Sequence, residues 1–119
     1  MATITLARRR CGTSACPGVH LHEESGTGYV VGPAAEFPPP GVLSGPEEAV
    51  LVLPADVIAQ AVAARPVPGL VPFAAWPGVI VDAESGAAYV VGRPEHVVPE
   101  GVLAGPGEAV VAIPHVLAA

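Results

Sequence analysis

Two cysteines and two histidines lie within twelve residues near the start of the sequence, in the stretch CGTSACPGVHLH. Cys11, Cys16, His20 and His22 follow the spacing C-x4-C-x3-H-x-H. Two thiolates and two imidazoles form a ligand set that suits a closed tetrahedral zinc site. His20 and His22 are two residues apart, so in a strand both side chains point to the same face. The stretch therefore predicts a zinc site that holds the N-terminal segment against a strand.

An internal duplication indicates which of these residues the scaffold itself requires. Residues 17–54 match residues 77–114 at a constant offset of 60, and 20 of the 38 aligned positions are identical. Such identity without a gap indicates a duplicated unit. None of the four candidate ligands is repeated. At the same offset the second copy has Val71, Trp76, Ile80 and Asp82.

The unrepeated residues leave three interpretations open. The first is the zinc site, the one cofactor that the sequence suggests. The second is packing without a ligand, because free cysteine is often buried and Trp76 occupies the position of Cys16. The third is a disulfide between Cys11 and Cys16, which a reducing compartment disfavours. Comparison with Ile80 predicts that position 20 faces the core, and comparison with Asp82 predicts that position 22 is exposed. Residues two apart in a regular strand share a face, so either Asp82 lies near the end of its strand or the first copy is specialised there.

Each copy predicts two strands joined by a Glu-Ser-Gly turn, a proline-rich loop and a third strand. Pro54 suits the first turn of a helix, because its missing N–H has no intrahelical partner to lose. The N-terminal ATITLA adds an edge strand. The predicted strands are Val19–His22, Tyr29–Val31 and Ala49–Leu53, with counterparts at Val79–Asp82, Tyr89–Val91 and Ala109–Ile113, and the predicted helix is Ala55–Ala64.

A unit of about 40 residues rarely buries enough surface to fold alone, so the two copies are expected to share one core. The predicted fold is mainly β, with two tandem ββ-loop-β(α) repeats packed about a pseudo-twofold axis as one small sandwich or barrel. The predicted organisation is an N-terminal segment with an edge strand (1–16), repeat 1 (17–64), a linker (65–76) and repeat 2 (77–119).

The charges are unevenly distributed along the chain. Arg8, Arg9 and Arg10 precede every acidic residue, whereas residues 23–119 hold all 11 acids against Arg65 and Arg93, a net charge of −9. A nucleic-acid binder needs a broad basic face, so no nucleic-acid partner is expected. The arginine run is either a solubilising flank or a contact for a phosphate or an acidic partner. A basic head and an acidic body also favour pairing between copies, and hence a homo-oligomer.

Catalytic and membrane signals are missing from the sequence. It contains no nucleophile elbow, phosphate-cradling glycine loop or paired-carboxylate pattern, so an enzyme is not expected. No stretch reaches the roughly 20 apolar residues of a membrane span. No apolar region follows the arginines as it would in a signal peptide, so a cytoplasmic location is expected. The Ala, Val, Pro and Gly bias, with arginine as the only strong base, indicates an actinobacterial source.

Each copy also resembles a known family in part. The matching features are Cys16, Val19–Leu21, Tyr29–Gly32 and Leu51–Val57, the last reading LVLPADV. Over about 45 residues they resemble the actinobacterial domain of unknown function 397 family. That resemblance implies a small partner protein of helix-turn-helix regulators, and no catalytic residue comes with it.

These observations favour a non-enzymatic protein–protein interaction or assembly module, acting as a regulatory partner protein. The alternatives are a small zinc-binding protein and a phage or cell-structural component. The proposed contact residues are Arg8, Arg9 and Arg10, and the proposed zinc ligands are Cys11, Cys16, His20 and His22.

Overall fold

Strands form where β-branched and apolar residues run between turns that contain glycine or proline. In the computed structural model they are β1 (Thr3–Arg8), β2 (Gly18–His22), β3 (Thr27–Pro33), β4 (Ala49–Leu53), β5 (Val79–Val81), β6 (Ala88–Gly92) and β7 (Glu108–Ile113). The helix α1 (Ala55–Ala63) follows β4, and a 3-10 turn at Phe73–Ala75 precedes β5. The mainly β prediction is confirmed, and the predicted strands lie within or close to the observed ones.

The structure describes residues 3–8, 17–35, 39–42, 45–63, 69–71, 73–82, 84–99, 102, 107–114 and 116. The candidate residues Arg9, Arg10, Cys11 and Cys16 lie outside this set. The structure therefore does not test the predictions made for those four residues.

Both predicted hairpins are present, and both depend on a glycine in the left-handed region. Gly26 has a φ of 66° and Gly86 a φ of 73°, a backbone conformation that glycine adopts without a steric cost. Gly26 N–H donates to the carbonyl of His22 at 3.0 Å, and Gly86 N–H donates to that of Asp82 at 2.9 Å. The same turn chemistry therefore closes the β2–β3 and β5–β6 pairs.

The third strand of each repeat pairs with the hairpin of the other repeat. One sheet has the order β1-β2-β3-β7 and the other has the order β4-β6-β5. Thus β7 pairs with β3 of the β2–β3 hairpin, and β4 pairs with β6 of the β5–β6 hairpin. Neither hairpin is completed by its own repeat.

The two exchanged pairings share one register. Tyr29 lies opposite Ala112 in the β3–β7 pair, and Tyr89 lies opposite Val52 in the β6–β4 pair. Adding 60 to Tyr29 and Val52 gives Tyr89 and Ala112, so each pair is the counterpart of the other. The duplicated sequence is matched by duplicated strand pairing.

Two isolated β-bridges tie the sheets to each other beyond the ends of β3 and β6. Ala34 pairs with Leu51, and Pro94 pairs with Val111, again at an offset of 60. Beside them, Ala35 N–H donates to the carbonyl of Val50, and Glu95 N–H donates to that of Val110, both at 2.7 Å. These bonds occupy the outer edges of β4 and β7.

The main core cluster draws side chains from both sheets and from α1. Its fully buried side chains come from alternate positions of the paired strands, as expected when one face of each sheet is covered. They include Val19, Leu21, Val30, Leu51, Leu53, Val90 and Val111. Burial of each such side chain stabilises the fold by ~1.5–3 kcal/mol.

The helix α1 covers one end of this core. Val57, Ile58 and Ala61 are buried on its inner face, whereas Gln60 is exposed. The carbonyl of Pro54 accepts the N–H groups of Val57 and Ile58, both at 3.1 Å. The predicted helix is confirmed over Ala55–Ala63, and residue 64 lies outside the described set. Among the described residues, no helix has the length and apolar character that crossing a membrane requires.

The predicted linker contributes two aromatic side chains to the core. Phe73 and Trp76 are both buried, with their ring centroids 5.2 Å apart in an edge-to-face arrangement. Trp76 Nε1–H donates to the carbonyl of Val71 at 2.7 Å, which satisfies its one polar atom. The ring lies directly over Gly28, where a Cβ would approach a ring carbon to 2.4 Å.

We expect Gly28→Ala to destabilise the protein by about 1–3 kcal/mol, because the added methyl group overpacks against Trp76. The measurement is the free energy of unfolding from urea denaturation. Gly45→Ala is the matched control, since a Cβ at Gly45 meets only the flexible carboxylate of Glu48, at 3.2 Å. Equal destabilisation by the two changes would contradict the contact between Gly28 and Trp76.

Candidate functional site

His20 lies in the middle of β2 and is buried, with 4% of its surface exposed. Its Nδ1 shares a hydrogen bond of 3.1 Å with Thr5 Oγ1 on β1. Gly18 makes room for the ring, because a Cβ at that position would lie 3.0 Å from His20 Nε2 and from the carbonyl oxygen of Ala7. The imidazole is therefore buried, but it lies on the face of β2 opposite to the core-facing Val19 and Leu21, so the prediction that position 20 faces the core is wrong.

Burial lowers the pKa of His20 below its ordinary value, and the positive charge of Arg8 lowers the pKa further. Both effects disfavour the imidazolium, so His20 is neutral near pH 7. A neutral imidazole has one donor and one acceptor nitrogen, and Thr5 uses one of them.

His22 has a different role, at the entrance of the β2–β3 turn. Its Nδ1 lies 2.9 Å from Ser25 Oγ and accepts the N–H of Ser25 at 3.4 Å. In the other hairpin Asp82 occupies the matching position. Its Oδ2 accepts the hydroxyl of Ser85 at 2.9 Å, and its Oδ1 accepts the N–H of Glu84 at 3.1 Å. Histidine and aspartate therefore interchange here because both supply an acceptor to the turn.

The zinc prediction is only partly addressed by these positions. Cys11 and Cys16 lie outside the described residues, and His20 and His22 each use Nδ1 in a hydrogen bond to a hydroxyl. Among the residues that the structure does describe, no three histidine, cysteine, aspartate or glutamate side chains converge as metal ligands would. The four-residue zinc site stays a prediction.

Ile80 is the position where comparison of the repeats is misleading. Its counterpart His20 is buried, but Ile80 is 40% exposed, so its expected core-like environment is wrong. The next residue shows the same contrast, since Leu21 is fully buried and Val81 is 42% exposed. The reason is a difference in neighbours. Strand β1 pairs with β2, whereas no described strand pairs with the outer edge of β5.

A groove of about 420 Å³ is lined by Ile80 of β5, Val91 of β6 and the end of β7 at Ala112 and Ile113. Gly78 and Glu48 also belong to its lining. Gly78 has a φ of 83°, and a Cβ there would lie 2.4 Å from the carbonyl oxygen of Val91. Glycine at this position therefore permits the positive φ and the close approach of the Gly78 and Val91 backbones.

The candidate contact residue Arg8, together with Tyr29 and His96, lies apart from this groove. Tyr29 is half-buried and packs against the small cluster of Val31, Val102 and Val110. Arg8 ends β1 with an exposed side chain, and its N–H donates to Gln60 Oε1 at 3.2 Å. His96 is exposed beside a second, smaller groove. None of these three lines the groove at β5.

Comparisons with protein-family models, with curated proteins and with solved structures gave no match.

We expect the stability of the protein to fall as the pH is lowered below about 6.5, because His20 binds a proton more readily in the unfolded chain. The folded-state pKa is depressed, so the unfolded state takes up the proton first and stability rises with pH across this window. The measurement is the melting temperature between pH 5 and pH 8.

Two variants test whether His20 causes this pH dependence of the melting temperature. His20→Gln should flatten the pH dependence, whereas the matched change His22→Gln, at a half-exposed site, should leave it intact. A pH dependence that survives His20→Gln would contradict the role given to this histidine.

Proposed function

We propose that this chain is a non-enzymatic protein-binding module whose contact surface is the outer edge of β5. One observation supports the proposal above all. His20 and Leu21 are buried in β2, which pairs with β1, whereas the matched Ile80 and Val81 are exposed in β5, whose outer edge pairs with no described strand. An exposed apolar strand edge is a template for another chain, and natural proteins usually protect such edges.

The wider architecture fits this interpretation. We interpret the two sheets as duplicated units that exchange their third strands about a pseudo-twofold axis, in a small sandwich. The matching registers and the two matching β-bridges support it. In such an arrangement the two hairpins are built alike, so a difference in what covers them marks a surface left for another purpose.

The remaining edges are protected. Strand β1 contains a register shift between Thr5 and Ala7, and Arg8 at its end contacts Gln60 of the helix. A bulge and a charged residue both discourage edge-to-edge pairing. The outer edges of β4 and β7 carry the two β-bridges. Among the described residues, the edge of the three-residue strand β5 carries neither a register shift nor a β-bridge.

The resemblance to the domain of unknown function 397 family points in the same direction, since it implies a partner protein. Arg8, Arg9 and Arg10 remain proposed contacts for an acidic partner or for a second copy. The open edge of β5 is a different surface, and a test can address it separately.

We expect the double variant Ile80→Thr, Val81→Thr to lose partner binding while keeping its fold, because threonine retains strand propensity without the apolar surface. Val97→Thr is the matched control, since Val97 is apolar and 83% exposed but lies outside the strands. Crosslinking in lysate of the source organism, with quantitative mass spectrometry, reports partners, and sedimentation velocity reports self-association.

The supporting result is a partner, or an oligomer, retained by the wild type and the control and lost by the double variant. Identical profiles for all three proteins would contradict the proposal. Melting temperatures of the three proteins establish that any loss of binding is not a loss of folding.

A further inference from the structure

We draw no further inference here: the strongest candidate, the groove lined by Ile80, Val91 and the end of β7, is a largely apolar surface at which the Glu48 carboxylate already accepts the N–H of Gly45, and nothing in the structure shows what covers it.

Discussion

The exchange of third strands between the repeats is the constraint on which the rest of the structure depends. Because β7 completes the first hairpin and β4 completes the second, neither repeat has a finished sheet or core of its own. Val30 and Val111 face each other across one exchanged pair, and Leu51 and Val90 across the other, and all four are fully buried. The core and the strand exchange therefore form together, and a change that weakens either pairing should affect the whole chain.

The same constraint explains why the repeats can differ at their outer strands without loss of the fold. The exchanged pairs are β3–β7 and β4–β6, and β2 and β5 lie on the other side of each hairpin from the exchanged strand. On β2, the pairing of β1 permits a buried His20 with Thr5 as its partner. On β5, the matching position carries an exposed isoleucine that lines the groove. The matched strands β2 and β5 thus differ in pairing: β1 pairs with β2, and no described strand pairs with the outer edge of β5.

Much of the secondary structure could be predicted from the sequence, because strand alternation, turn glycines and the proline before α1 are local signals. The strand exchange could not, since the same alternation lets β4 or β7 pair with either hairpin. The prediction for Ile80 is wrong because matched residues share an environment only where their neighbours match too. The sequence did contain one indication of this difference in neighbours. Residues 63–68, which match β1 at the offset of 60, contain Pro66 and Pro68, and proline has no backbone N–H to donate to a neighbouring strand. The zinc prediction depends on Cys11 and Cys16, outside the described residues.

Residue-resolved amide hydrogen exchange of the unbound protein shows whether the edge of β5 is open. We expect the amide of Val81 to exchange at least about tenfold faster than that of Leu21, because β1 pairs with β2 at Leu21 and no described strand pairs with Val81. The amide of Ile80, which faces β6, should exchange more slowly than that of Val81. Equal protection of Val81 and Leu21 would mean that the edge of β5 is already covered, and the proposed binding surface would be wrong.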